Sequence, residues 1–255
     1  MKPYLLADKG EHKEILGRHQ TTDFLTFRPS YSILLVNLNN IQQKPVIGIV
    51  GGIGSGKSII AHQLCRRGGQ VIDADHLGHK ALLRDDVIRA ATKRWGHGVV
   101  QPDGNIDRKK LADVVFGSNS QSHTERLFLE SLIHPHIKDT ISQKHKAAQS
   151  NPAVSFVVLD AALLFEANWD SLCDYIIFVD TPEPLRIQRT IEARGWSKTE
   201  VTKRETSQES LINKRQLADF VLDNSGPLEK TFQKTEEILR LIPDIPLLRE
   251  DLSFS

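Results

Sequence analysis

One stretch of this chain has both the residue types and the order needed to hold a row of phosphates: Gly51-Gly-Ile-Gly-Ser-Gly-Lys-Ser58. It satisfies the pattern G-x-x-x-x-G-K-S. Glycines let consecutive backbone N–H groups turn inward toward phosphate oxygens. A helix starting behind the loop would add the partial positive charge of its N-terminus. Lys57 has the reach for the outer phosphates, and Ser58 has the hydroxyl to meet Mg²⁺. A glycine-rich turn can serve shape alone, but the Lys-Ser pair points to a nucleoside triphosphate. Gly52, Ile53, Gly54, Ser55, Gly56, Lys57, Ser58 and Ile59 are therefore the expected nucleotide contacts. Ile59 stands where many kinases with such a loop carry a second hydroxyl, so the α-phosphate should lean on backbone amides. The loop specifies binding and not a reaction.

Carboxylates supply the next clue. Val71-Ile-Asp-Ala-Asp75 reads as the end of a strand carrying two acids two positions apart. In an open α/β sheet, ligands gather at the carboxyl ends of strands. Asp73 or Asp75 there can orient and deprotonate an attacking hydroxyl, or hold Mg²⁺ through water. The competing reading is that one of them, Asp73 more readily than Asp75, caps the next helix. Asp160 closes another apolar run and has the form of a metal-organising acid acting through water. Glu166 follows Leu163-Leu-Phe165 and can face the same cleft, while Asp180 reads as a cap. Arg186, Arg189, Arg194, Lys198, Lys203 and Arg204 cluster further on. They form either a solvated helix face or a mobile lid that neutralises phosphoryl charge and excludes water.

These groups need elements to position them. Val46–Val50 is an apolar run of the kind buried on both faces of a sheet. Lys57–Arg67 has helical spacing at Ile60, Ala61 and Leu64, and Gln70–Asp73 is a second strand. Asp107 can cap a helix reaching Phe116. Residues 124–148 read as a helix with a kink at Pro135. Ala153–Leu159, Tyr175–Val179 and Phe220–Leu222 complete the strands, with helices at Glu183–Ala193, Lys198–Ser207 and Leu228–Leu241. Strands alternating with helices imply a parallel sheet with right-handed crossovers.

Residues 1–44 are polar, mixed and without period. They read as an N-terminal extension outside the main fold, either partly disordered or a product of start-codon choice. Lys plus Arg is 33 against 32 for Asp plus Glu, so no bulk charge favours nucleic acid or an anionic membrane. About 39% of residues are hydrophobic, enough for a sizeable core, yet no apolar run is long enough to span a membrane. Cys65 and Cys173 lack partners at metal-binding spacing and fit a reduced, cytoplasmic setting.

Taken in order, the motifs resemble those of the dephospho-coenzyme A kinase family. Ile49–Ser58 is followed by Val71–Asp75, then Gly104-Asn-Ile-Asp-Arg108, Leu111-Ala112, Val115-Phe116 and His134-Pro135. Leu163-Leu-Phe-Glu166, Arg204 with Gln208, and Ala218–Gly226 complete the set, spanning about residues 46–240. The resemblance implies a P-loop kinase fold: an α/β protein with a parallel β-sheet core flanked by helices, carrying helical substrate-binding and lid insertions. It implies a kinase domain over 45–245, with 246–255 as a tail. It implies transfer of the γ-phosphate of ATP, with Mg²⁺, to the 3′-hydroxyl of dephospho-coenzyme A. Asp75 would be the base, with Lys57 on the outer phosphates. Asp73, Arg108, His134 and Glu166 would serve the acceptor side, Arg189 or Arg194 would act from the lid, and Asn224 would lie near the adenine. Ala162 stands where the family usually has proline. A monomer or weak homo-oligomer is expected, with no nucleic-acid or membrane partner.

Two other readings compete. One is a nucleoside or nucleotide kinase of the same architecture. The other is a GTPase-like switch, which needs a guanine-reading N-K-x-D. Asn213-Lys-Arg-Gln216 has Gln in place of that Asp, and Asp160-Ala-Ala-Leu163 lacks the switch glycine.

Overall fold

In the computed structural model, residues 43–117, 120–206, 208–243 and 245 are described. The expectations for residues 1–42 and 246–255 lie outside them. Lys44 belongs to the folded body: its amide donates to Gln149 Oε1 at 2.8 Å and its ammonium to the Ala148 carbonyl at 2.8 Å.

Five parallel strands form the centre: β1 Val46–Gly51, β2 Gly69–Asp73, β3 Phe156–Asp160, β4 Tyr175–Asp180 and β5 Phe220–Asp223. Their spatial order is β2-β3-β1-β4-β5, so the strand that feeds the phosphate loop is in the middle. Every residue of β1 is buried, as its unbroken apolar run requires. Alternate side chains leave the sheet on opposite faces. Val46, Val50, Ile72, Val157, Leu159 and Phe178 enter one core, and Ile47, Ile49, Val158, Ile177, Phe220 and Leu222 the other.

Helices cover both faces. α1 Lys57–Arg66 and α9 Leu228–Leu241 contribute Ile60, Leu64, Ile238 and Leu239 to the second core. α2 Ala74–Ala81 and α5 Ser120–Ser150 contribute Leu77, Ile137 and Ile141 to the first. A third core, with Val87, Leu111 and Val115, joins α3 Asp85–Trp95 to α4 Arg108–Val115. Asp107 caps α4 by accepting from the amides of Lys109 and Lys110. Pro135 lies inside α5 without ending it. The helix is held along its length by packing against α2, α3 and α4. α6 Glu183–Arg194, α7 Lys198–Glu205 and α8 Leu211–Leu217 complete the chain.

Register explains the placement of the acids. Asp73 stands beside Asp160, and Asp180 beside Asp223, at the carboxyl ends of neighbouring strands. Gly51 pairs with Val179 at the same edge, so the loop leaves the sheet where the carboxylates collect.

Candidate active site

The loop turns tightly between β1 and α1. Gly56, the N-cap of α1, has φ of 91°, and Gly54 has φ of 76°. Both lie in the left-handed region that favours glycine. A Cβ on Gly54 would collide with the Arg186 carbonyl and the Thr190 hydroxyl, and one on Gly56 with Asn224 Nδ2. The loop is thus seated directly on α6 and the end of β5. Asn224 Nδ2 donates to the Ser55 carbonyl at 2.7 Å, and Thr181 Oγ1 donates to the same oxygen at 3.0 Å. Thr231 Oγ1 donates to Asn224 Oδ1 at 3.2 Å and fixes the amide orientation. Asn224 and Ser55 are fully buried. The Asn224 side chain is therefore a brace beneath the loop, and any part it takes in nucleotide binding runs through the loop.

Lys57 folds back over the loop. Its ammonium donates to the carbonyls of Gly51 at 3.2 Å and Gly52 at 3.4 Å. Burial lowers its pKa, while the charges of Asp160 and Asp75 oppose that fall. Ser58 Oγ donates to Asp160 Oδ2 at 3.3 Å. Ile59 is exposed on the first turn of α1 and offers no hydroxyl.

The carboxylates divide their work. Asp73 caps α2 by accepting from the His76 amide at 2.8 Å. Asp75 lies in the first turn of that helix, crowded by neighbouring atoms yet open to water. Burial raises its pKa, and Lys57 is the main opposing charge. Burial also pushes Asp160 up to about 6, with Lys57 again opposing. Asp160 bonds Ser58, and Asp75 follows the Asp73 that stands beside Asp160, so both acids lie at the edge where the loop leaves the sheet and both feel the charge of Lys57.

The residues expected on the acceptor side take the following positions. Arg108 Nη2 meets His79 Nε2 at 2.7 Å, and His79 is one helical turn beyond Asp75. His79 was absent from the sequence expectations, although the i, i+4 spacing from Asp75 was a usable signal. Burial, then Arg108, lowers the His79 pKa. His134 is half-buried against Trp169 at 5.3 Å between ring centroids, and burial lowers its pKa. Glu166 Oε1 accepts from the Glu209 amide at 2.7 Å and from Lys214 Nζ at 2.9 Å. Lys214 was also missed. A separate cavity of about 740 Å³, lined by Phe116, Arg126, Lys198 and Lys203 among others, lies between α7 and the helices α4 and α5 and does not touch the loop.

The basic cluster resolves into distinct positions. Arg186 is buried, donating to the carbonyls of Thr181 and Ile53 and pairing with Glu205, which itself accepts from the Ile53 amide at 3.0 Å. The pair grips both polar groups of one loop residue. Arg189 donates to the Asn224 carbonyl at 3.2 Å. The Arg194 guanidinium stacks 4.9 Å from the Trp196 ring and acts electrostatically on Lys57 and Asp75. Arg204 lies 4.2 Å from the same ring and 5.4 Å from Phe116. Asp180, expected as a cap, instead pairs with Arg215, and Pro182 is the N-cap of α6.

No group of three or more His, Cys, Asp or Glu among the described residues could hold a metal by itself. The oxygen pair Ser58 and Asp160 suits a hard cation that takes its remaining ligands from phosphates and water.

A parallel sheet with the phosphate loop on its central strand, acids along its carboxyl edge and an arginine-bearing helical lid defines a P-loop kinase. The dephospho-CoA kinase family model matches residues 45–230. The chain belongs to that family. A dephospho-CoA kinase from Carboxydothermus hydrogenoformans is 36% identical over 197 residues, 77% of this chain and 93% of the relative. A crystal structure from Thermus thermophilus, 30% identical, superposes with a TM-score of 0.66 over 79% of this chain and 99% of that one. The dephospho-CoA kinase from Campylobacter jejuni, 24% identical, shares the fold with a TM-score of 0.56 over 76% of this chain and 95% of that one. No helix among the described residues is long and apolar enough to cross a membrane.

Proposed function

We propose that this chain transfers the γ-phosphoryl group of ATP to the ribose 3′-hydroxyl of dephospho-coenzyme A, the last step of coenzyme A synthesis. The observation that carries the reading is the phosphate loop on the central strand, with Lys57 folded over it and Ser58 bonded to Asp160, beside an Asp75 that feels the charge of Lys57. Asp75 accepts the proton of the attacking hydroxyl. The new O–P bond forms as the bond from phosphorus to the β–γ bridging oxygen breaks, and ADP departs with the electron pair. The raised pKa of Asp75 makes it a better proton acceptor than an ordinary carboxylate. Lys57 and Arg194 neutralise charge on the transferred group. Loop amides from Gly52 to Ile59 hold the phosphates, over a base braced by Asn224.

Ser58 and Asp160 would hold Mg²⁺, Asp160 through water. The ion supplies charge neutralisation at the phosphates. Arg108, His134, Glu166 and Asp73 serve the acceptor side, Asp73 by setting the start of α2 and so the place of Asp75. The kinase domain is 45–245. The free thiols Cys65 and Cys173 support a cytoplasmic setting, and we infer a monomer or weak homo-oligomer.

The test is incubation with ATP, Mg²⁺ and a panel of acceptors: dephospho-coenzyme A, nucleosides, nucleoside monophosphates and shikimate. Coenzyme A and ADP should appear in equal amounts. A folded, ATP-binding sample that phosphorylates only another acceptor would overturn the reading.

A further inference from the structure

Lys214 is completely buried, and its ammonium is surrounded by oxygens. It donates to the Ala162 carbonyl at 2.7 Å, lies 2.9 Å from Glu166 Oε1, and reaches Gln208 Oε1 at 3.4 Å. Those three partners match the three donors of an ammonium. Taking a charged pair out of water is costly, and apolar residues of similar volume in place of both partners are often neutral or stabilising. Stability alone therefore gives this site little reason to hold a lysine.

Glu166 shows what the pair leaves open. Its Oε1 takes both bonds, from Lys214 and from the Glu209 amide. Its Oε2 is buried and has no hydrogen-bond partner among the described residues. A buried acceptor left unpaired costs about 1–3 kcal/mol. One oxygen is anchored twice, and the other is held in place with nothing to accept from. The pair lies at the carboxyl edge of the sheet, because Lys214 holds the carbonyl of Ala162, two residues beyond the Asp160 that bonds Ser58.

We propose that Lys214 is a positioning residue for acceptor binding: it fixes Glu166 through Oε1 so that Oε2 accepts a hydrogen bond from a donor group of the bound acceptor. The two ends of the device come from separate elements, the loop after β3 and helix α8. Lys214 touches no substrate, and its whole effect passes through Glu166. The inference rests on the acceptor assignment above and deepens it.

The experiment is steady-state kinetics with dephospho-coenzyme A on the wild type, Glu166→Gln, Lys214→Met and the double variant, with thermal melting of each. Failure of the wild type to use this acceptor would sink the proposed function; the present inference is judged among variants of an active wild type. Lys214→Met should raise the acceptor KM at least tenfold and change the ATP KM less than threefold. The double variant should match Glu166→Gln alone, since both remove the same contact. A Lys214→Met protein with a lower Tm but an unchanged acceptor KM would overturn the proposal. So would KM effects that multiply in the double variant. Should Lys214→Met not fold, the double variant, which buries no lone charge, decides by the same comparison with Glu166→Gln.

Discussion

Asn224 holds the Ser55 carbonyl at 2.7 Å from below, reaching from the end of β5 to the phosphate loop on β1. The two residues are far apart in sequence, and β4 lies between their strands. The loop's shape therefore depends on the far side of the sheet. Asn224→Ala removes one of two donors to that carbonyl and leaves Thr181 as the other. A net loss of about 1–1.5 kcal/mol is expected for a buried hydrogen bond. ATP affinity should fall roughly tenfold, with kcat at saturating ATP changed less. Titration with ATP checks this, and an unchanged Kd would mean the loop holds its shape alone.

Asp75→Asn should lower kcat by roughly 10²–10⁴-fold while leaving the ATP Kd within about twofold, as expected for loss of a general base. A collapse of ATP binding would make Asp75 a metal-holding acid instead. The pH profile carries the sign. Asp75 works deprotonated, and its pKa lies above the ordinary 3.8. Wild-type kcat should therefore fall on acidification at a higher pH than an ordinary carboxylate would give. Asp75→Asn should lack that limb. Lys57→Ala should lose most turnover, and its residual activity should show the limb at still higher pH, because Lys57 pulls the Asp75 pKa down.

The lid arginines should separate kinetically. Arg194 acts on Lys57 and Asp75, while Arg189 holds the Asn224 carbonyl. Arg194→Ala should cut kcat by on the order of 10²–10³ with little change in ATP affinity. Arg189→Ala should weaken ATP binding more than it slows transfer. Trp196→Leu should lower kcat about tenfold by releasing Arg194 from its ring, and Trp196→Phe should keep much of it. Single-turnover rates measured with saturating ATP distinguish these outcomes.

Much of the fold was legible because its signals are local. The β1 run, the loop and α9 follow from hydrophobic period and glycine placement, and α9 begins and ends where the pattern predicts. Helices α2 and α3 went unplaced although each has an apolar face, with Leu77 and Ala81 buried in α2 and Val87 and Ala91 in α3. The helix read over 124–148 does run through Pro135, and α5 begins earlier, at Ser120. In the site, Asp75, Lys57 and Asp160 stand out from motif and strand-end position. Lys214 does not, because a lysine among Asn213, Arg215 and Gln216 looks solvated. Its burial is decided by Glu166, 48 residues earlier, and no local pattern records that contact. The Arg186–Glu205 grip on Ile53 is hidden for the same reason.

Asp160 sets the enzyme's stability against its chemistry. It is 9% exposed, and its pKa is pushed from 3.8 to about 6, chiefly by burial. A folded-state pKa above the unfolded value means that the fold favours the protonated form. That contribution is present below about pH 4 and is lost as pH rises toward 6. The ionised carboxylate then weighs against the ligand-free fold by up to roughly 3 kcal/mol at neutral pH. Asp160→Asn keeps an oxygen for the Ser58 hydroxyl and carries no charge. The ligand-free variant should melt several degrees above the wild type at pH 7.5, and the gap should narrow steadily as pH falls from 6 toward 4. Magnesium reverses the balance, because a cation at Ser58 and Asp160 needs the charge that the empty fold resists. The variant should therefore gain less thermal stability from Mg²⁺ with ATP than the wild type, and its kcat should fall by at least tenfold. Melting curves across pH, with and without Mg²⁺ and ATP, separate the two effects. A variant that melts lower than the wild type at pH 7.5 would show that Asp160 is ionised at no cost, with Lys57 offsetting its burial in full.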